Sequence, residues 1–357
     1  MMYLMEAMFD IAYLGLVIGL GLRLLLERSK DAKKYGLTAL ILGLGDAFHL
    51  IPRVVSNLSF NGFEKYVAFL SWGEFVTSIT MTLFYILFYQ YYRTISKDNN
   101  RTKALLIYGL AIVRTALVLL PQNLWGTKGD YLFGVLRNIP FAVMGYLLII
   151  WSWEHREKEG LKGASVLIAA SFIFYLPVVL GARFVSILGL FMIPKTVAYV
   201  LLVVLGYRHF IKDFRAENLL KSSVVFLVLG LFGGVFYREF VKLFDWECYT
   251  ALSVVHVHTL VLGFLAFACL YALMQNEGES LARLKTPFII YVTGLAWTVV
   301  SFFVRGIYDI TAEGVKLFSD AALSGLAGLG HILLGIGMVL IMLRVLKIKT
   351  SKSEAAA

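Results

Sequence analysis

Charged residues are scarce in this chain, at 16 % of 357 residues, whereas 59 % are hydrophobic and the mean hydropathy is +0.79. Soluble domains carry about 25 % charged residues, so this composition excludes an ordinary soluble globular protein and favours a membrane protein. Cysteine is also rare: Cys248 and Cys269 are the two in the sequence. Most of one helix separates them, which excludes a disulfide between them without bending that helix.

Several functional motifs are missing as well. The chain has no nucleotide-binding fingerprint, no catalytic serine motif and no cysteine cluster. The N-terminus lacks a basic segment, so we expect a first membrane span there instead of a cleaved signal peptide. The net charge of +10 is spread over short loops and forms no basic face, which argues against a nucleic-acid partner.

Long apolar runs are what the chain does contain. About 20 apolar residues cross the hydrocarbon core of a bilayer, and eleven runs reach that length. We therefore predict an all-α integral membrane protein with about eleven transmembrane helices. The runs lie near residues 7–27, 36–56, 66–92, 103–121, 130–152, 163–181, 184–207, 222–242, 250–274, 286–308 and 320–345.

Lysine and arginine concentrate in alternate loops between these runs and in the tail 347–352. Basic loops face the cytoplasm, so this pattern predicts an outside N-terminus and a cytoplasmic C-terminus in a bacterial cytoplasmic membrane. The polar segment 207–221 is the strongest internal boundary. It predicts a seven-helix bundle over residues 1–215 and a four-helix bundle over residues 216–357.

Three histidines stand inside the predicted four-helix bundle. His256 and His258 share one apolar run, and His331 lies in a later one. Ionisable residues within a membrane are by default candidates for a functional site. Residues two apart on an α-helix point about 200° apart, so His256 and His258 serve opposite faces. The two runs are parallel, and His258 and His331 lie at similar depths, as the two axial ligands of one haem must.

Glycine accompanies His331 on its helix. Gly328 and Gly335 share the face of His331, and Gly325, Gly330 and Gly337 are close by in sequence. A face without side chains suits a macrocycle, and it equally suits close packing of two helices. The sequence leaves both interpretations open.

Three motifs in this region resemble a small bacterial membrane family known as DUF2871, a domain of unknown function. They are Tyr237-Arg-Glu-Phe240 within a glycine-rich run, His256-Val-His258 followed by Gly263-Phe264, and Gly330-His331. The resemblance covers residues 220–347. The His-x-His helix is also loosely similar to the haem-ligand helix of haem–copper oxidases and NnrS-like proteins, which implies haem ligation by His256 and His258.

Arg305 lies at the predicted outer end of the tenth run. It could pair with a haem propionate, or form an ordinary ion pair with Glu239 or Asp309. The ion pair is the simpler of the two expectations.

Charged side chains within the first seven runs indicate a polar pocket near the outer leaflet. Asp46, His49 and Arg53 share one helix face, and buried charges in lipid must pair. The segment 43–53 that contains them is similar to segments of other uncharacterised bacterial membrane proteins. The candidate pocket comprises Asp46, His49, Glu74, Arg114, Arg137 and Glu239.

The sequence favours a membrane protein that binds b-type haem through His258 or His256 with His331, for electron transfer or for haem or redox sensing. Its partners would then be the lipid bilayer and a respiratory or haem-handling protein. One alternative is a secondary transporter or ligand-binding protein that uses the outer polar pocket without a cofactor. Another is a membrane metalloenzyme with Asp46, His49 and Glu74 converging on a metal, so enzymatic activity stays open. Histidines that merely hydrogen-bond between helices are a further alternative.

Overall fold

A computed structural model describes residues 1–312 and 314–356 of the chain, and within them it is 83 % helical and contains no strand. Eleven helices in this part are long and apolar enough to cross a membrane, as the sequence predicts. Lipid cannot hydrogen-bond to the backbone. A helix suits a bilayer because its backbone N–H and C=O groups bond to each other. We number them α1 to α11: Met2–Leu25, Lys30–Leu58, Val67–Ser96, Arg101–Leu119, Tyr131–Glu154, Ala164–Gly181, Ile187–Phe210, Ala216–Leu243, Leu252–Met274, Leu281–Thr311 and Asp320–Ser351.

Several of these helices are interrupted. Helix α5 consists of Tyr131–Leu136 and Asn138–Glu154, with Arg137 between them. Helix α9 begins as the α-helix Leu252–His258, widens into a π-helix over Thr259–Leu265 and ends as the α-helix Ala266–Met274. Short helices occupy connections or helix starts at Gly62–Lys65, Pro121–Asn123, Ser186–Phe191 and Gly278–Leu284.

By its contacts the chain forms two compact units. The N-terminal unit comprises Tyr13–Arg53 and Glu64–Lys212, and the C-terminal unit comprises the chain from Asp213 onward with Met1–Ala12 and Val54–Phe63. A compact unit is not by itself an independent folding domain. The division into residues 1–215 and 216–357 therefore stays a prediction.

Aromatic side chains of α3 form the centre of the N-terminal unit. Phe84, Tyr85, Phe88, Tyr89 and Tyr92 are each at most 2 % exposed. Such rings bury a large apolar area, and their hydroxyls require polar partners in the interior. The Tyr85 and Tyr199 hydroxyls accordingly lie 3.2 Å apart, and that of Tyr91 donates to the Gly160 carbonyl at 2.8 Å.

The end of α3 and the start of α4 are fixed by side chains in their connection. The Asn100 side chain accepts from the backbone N–H groups of Thr102 and Lys103, which is the usual cap of a helix start. The Lys103 ammonium donates to Asp98 at 2.8 Å. This hydrogen bond holds the pKa of Asp98 well below its ordinary value, at about 2, so the carboxylate stays charged at neutral pH.

Glycines set the packing of α10 against α11 in the C-terminal unit. A Cβ on Gly294 would collide with the Leu334 backbone, and one on Gly337 would lie 2.5 Å from the Tyr291 nitrogen. The helices can approach this closely only because neither residue has a side chain. The Trp297 indole adds a hydrogen bond of 2.7 Å to the Leu326 carbonyl.

Candidate functional site

His258 and His331 come together in the C-terminal unit. His258 is the last residue of the first α-helical part of α9, and His331 lies within α11. Their ring centroids are 6.1 Å apart, and the ring planes are perpendicular, at 90°. The sequence placed these two side chains at similar depth, and the structure shows them as neighbours.

Each imidazole is held by a backbone carbonyl of its own helix. Nδ1 of His258 lies 2.9 Å from the Val254 oxygen, and Nδ1 of His331 lies 3.0 Å from the Ala327 oxygen. A carbonyl oxygen only accepts hydrogen bonds, so each Nδ1 must carry the proton. Each Nε2 therefore keeps its lone pair, and this tautomer is the one that a metal-ligating histidine adopts.

Phe302 of α10 is the third ring of this group. Its centroid lies 4.8 Å from that of His258 and 5.5 Å from that of His331. The three rings thus form a triangle, with Phe302 beside the line that joins the two imidazoles. No signal in the sequence singled out this phenylalanine, since apolar residues surround it on its own helix.

The glycines of α11 divide into two sets. Around Gly325, Gly328 and Gly335, a Cβ would meet nothing within 4 Å. Gly330 instead faces α10, where a Cβ would lie 2.6 Å from the Thr298 hydroxyl oxygen. The sequence left macrocycle binding and helix packing as alternatives for these glycines. The structure assigns Gly330 and Gly337 to packing and leaves the face of His331 open.

His256 lies away from this pair. It is directed toward α8, where a Cβ on Gly234 would lie 3.6 Å from the His256 Cβ. Its Nδ1 is buried and has no hydrogen-bond partner within the described part of the chain. Among the residues described, no group of three His, Cys, Asp or Glu side chains is arranged to hold a metal ion. The convergence of Asp46, His49 and Glu74 that the metalloenzyme alternative requires is thus not found there.

Arg305 forms ion pairs at the end of α10. It donates to Asp309 and to Asp320, each at 3.0 Å. The expected pair with Asp309 is therefore present, and Asp320 is a second partner that sequence spacing did not reveal. Glu239, the other expected partner, instead bonds to Arg238 at 2.6 Å, and both of these side chains are exposed.

A second polar group lies in the N-terminal unit. Arg137, at the break in α5, donates to Glu74 at 2.5 Å and to the Asn123 side chain at 2.8 Å. Its guanidinium carbon also lies 4.4 Å from the centroid of the Trp125 ring. Asp46 accepts from the Tyr13 hydroxyl at 2.5 Å. Glu74 is thus paired with Arg137, and both belong to the predicted pocket.

Arg114 of α4 has no comparable partner. Its side chain is 2 % exposed, and its guanidinium carbon lies 3.7 Å from the centroid of the Phe141 ring. Its Nε and Nη1 atoms have no hydrogen-bond partner in the described part of the protein. The Nδ1 of His49 is also buried without one.

Among known protein families, one matches the C-terminal part of the chain. Residues 216–348 match the family model described as "Protein of unknown function (DUF2871)", in agreement with the resemblance of the His-x-His and Tyr-Arg-Glu-Phe motifs. Comparison with curated proteins and with solved structures finds no match.

Proposed function

We propose that this multi-pass membrane protein binds a b-type haem in its C-terminal unit, which His258 and His331 would hold. The protein would then serve electron transfer or haem and redox sensing. One observation carries the proposal: two perpendicular imidazoles, 6.1 Å apart, whose Nδ1 atoms are both fixed by carbonyl oxygens. Because both Nε2 lone pairs are available, the pair suits ligation of a single iron.

The spacing of the two rings supports this proposal. Both imidazoles could bind the same metal, because metal–nitrogen bonds of about 2 Å would bring the two ring centroids within about 6 Å of each other. A porphyrin supplies four ligands itself, so two histidines complete the coordination without a third protein group. The open face around Gly328 and Gly335 offers room for the macrocycle beside His331.

Phe302 lies beside both imidazoles, with its ring centroid 4.8 Å from that of His258 and 5.5 Å from that of His331. It would form part of the apolar wall of the haem site.

The alternative in which the histidines only join helices has less support. Each Nδ1 bonds to the helix that carries it, and the two rings contact each other and Phe302 without a hydrogen bond between helices. A haem with two histidine ligands would exchange electrons, and the apolar surroundings and axial imidazoles would set its potential. This chemistry favours electron transfer or sensing.

A reduced-minus-oxidised visible spectrum of protein made with haem supplied tests the proposal. The wild type should show the α-band of a six-coordinate b-type haem, and His258→Ala and His331→Ala should each lose it. His256→Ala is the matched control, because this histidine shares the helix but faces away from the pair. A colourless, folded wild type, or a band retained in both ligand variants, would contradict haem ligation by this pair.

A further inference from the structure

Arg114 lies in the interior of the N-terminal unit as a cation without a hydrogen-bond partner. It is 2 % exposed, and its Nε and Nη1 atoms are unpaired within the described residues. A buried charged group that lacks partners is strongly destabilising, and more so within a membrane. The Phe141 ring covers one face of the guanidinium, but an aromatic face cannot accept hydrogen bonds in the guanidinium plane as an anion does.

The two carboxylates that the sequence offers as partners within this unit bond to other residues. Glu74 accepts from Arg137 at 2.5 Å, and Asp46 accepts from Tyr13 at 2.5 Å. Neither forms an ion pair with Arg114 in the described structure. The Nε and Nη1 atoms of Arg114 thus have no anionic partner among the described residues.

A second cation belongs to the same polar region. The Lys195 ammonium of α7 lies 4.6 Å from the centroid of the Tyr175 ring and 5.5 Å from that of Tyr199. It interacts electrostatically with Arg114, Asp46 and Glu74. Arg137 and Arg53 belong to the same region as Lys195 and Arg114, so its cations outnumber the carboxylates of Asp46 and Glu74. An anionic ligand would reduce this excess of positive charge.

We propose that the N-terminal unit binds a small organic carboxylate whose charged end pairs with Arg114 and whose apolar body lies among the surrounding rings. A carboxylate is planar and matches the guanidinium fork, and unlike inorganic phosphate it can carry an apolar body. Phe141 lies directly against the guanidinium, and Tyr85, Tyr175 and Tyr199 are its other aromatic neighbours. Their faces suit a hydrocarbon or aromatic body. The site lies in the N-terminal unit alone and does not depend on the haem proposal.

Thermal unfolding of the full-length protein in detergent tests this site. Benzoate and hexanoate should raise the Tm of the wild type, whereas benzamide, hexanol and phosphate should not. Arg114→Gln should lower the affinity for benzoate about 10-fold or more, since a charge-assisted hydrogen bond is lost. Arg114→Lys keeps the charge without the planar fork and should bind with intermediate affinity.

The ligand-free Tm separates a binding role from a structural one. Arg114→Gln removes an unpaired buried charge, so its Tm without ligand should equal or exceed that of the wild type. Arg137→Gln is the matched control, because it breaks an existing ion pair and should lower the Tm. The proposal is overturned if Arg114→Gln destabilises as Arg137→Gln does, or if neither carboxylate shifts the wild type. It is also overturned if phosphate or the uncharged analogues act as well as the carboxylates. The haem spectrum of Arg114→Gln should be that of the wild type, so the two proposals fail independently.

Discussion

A single arginine shows how the N-terminal unit accommodates charge. Arg137 is 5 % exposed, and it bonds to Glu74 and Asn123 while one face rests on Trp125. Nη1 and Nη2 have separate hydrogen-bond partners, and such pairing is what makes a buried cation tolerable. Its position at the break between the two parts of α5 places the charge where the helix is already interrupted.

Removal of the Glu74 charge should therefore destabilise the fold. Glu74→Gln leaves Arg137 without its anionic partner, and we expect a loss of about 1–3 kcal/mol in the free energy of unfolding. Glu157→Gln is the control, because the Glu157 side chain is 91 % exposed in its pair with Arg156. Exposed pairs contribute little, so this variant should match the wild type. Equal thermal melting of both variants in detergent would contradict a structural role for the Glu74 pair.

At the residue scale, the sequence predicts that a buried charged group must pair more readily than it predicts which residue the partner is. Arg305 was expected beside Asp309 one helical turn away, and that bond forms. Its bond to Asp320 crosses a connection whose course the sequence does not specify. Arg114 belongs to the predicted polar pocket, but only the packed structure reveals that Asp46 and Glu74 are bonded to other residues.

At the scale of the element, α11 presents two different glycine faces. Gly330 and Gly337 are seven residues apart and face α10, whereas Gly328 and Gly335 flank His331 on an open face. The helical period predicted the shared face of Gly328, His331 and Gly335. The same period does not predict which face of α11 contacts α10. Both faces carry glycine, so no difference in polarity distinguishes them.

Substitution of one glycine from each set should have opposite consequences. Gly330→Ala would bring a methyl group to 2.6 Å from the Thr298 hydroxyl oxygen and should lower the Tm. Gly335→Ala meets no atom and should stabilise the helix by about 0.5–1 kcal/mol. Gly335→Leu should leave the Tm near that of the wild type but reduce haem occupancy, because the side chain projects onto the face of His331. Equal Tm values for Gly330→Ala and Gly335→Ala would contradict the assignment of Gly330 to the packed face and Gly335 to the open face.

The π-helical part of α9 is an element that sequence patterning did not predict. Thr259–Leu265 consists of ordinary apolar residues with one threonine and one glycine, which suit an α-helix as well. A π-helix leaves backbone groups less regularly bonded, and in lipid these need other partners. The Tyr291 hydroxyl supplies one by donating to the Leu262 carbonyl at 2.7 Å. This tertiary contact is not visible in the local sequence of α9.

At the scale of the whole molecule, hydropathy alone predicted the eleven spans. Each predicted run coincides with a long helix, and the ends differ by a few residues because polar ends of helices continue past the apolar run. Helix α2, for example, begins at Lys30, ahead of the predicted run that starts at residue 36. The orientation in the bilayer remains a prediction from the basic loops.

Labelling of single cysteines would establish this orientation. Cys248 is exposed in the connection between α8 and α9, which the basic loops place outside. In a Cys269→Ser variant, a membrane-impermeant maleimide should label Cys248 on intact cells. Ser351→Cys in a cysteine-free background is the control and should react only after permeabilisation. If Ser351→Cys reacted on intact cells and Cys248 reacted only after permeabilisation, the orientation would be the reverse of the predicted one.

The π-helical segment Thr259–Leu265, directly after His258, contains one residue more than an α-helix would need there. In an α-helix, deletion of one residue rotates everything beyond it by about 100° and shortens the helix by about 1.5 Å. A π turn already contains the additional residue, so a deletion within Thr259–Leu265 would convert it to α-helix without turning either end. The chain length of α9 is therefore adjustable by one residue at this point, while His258 keeps its direction toward His331.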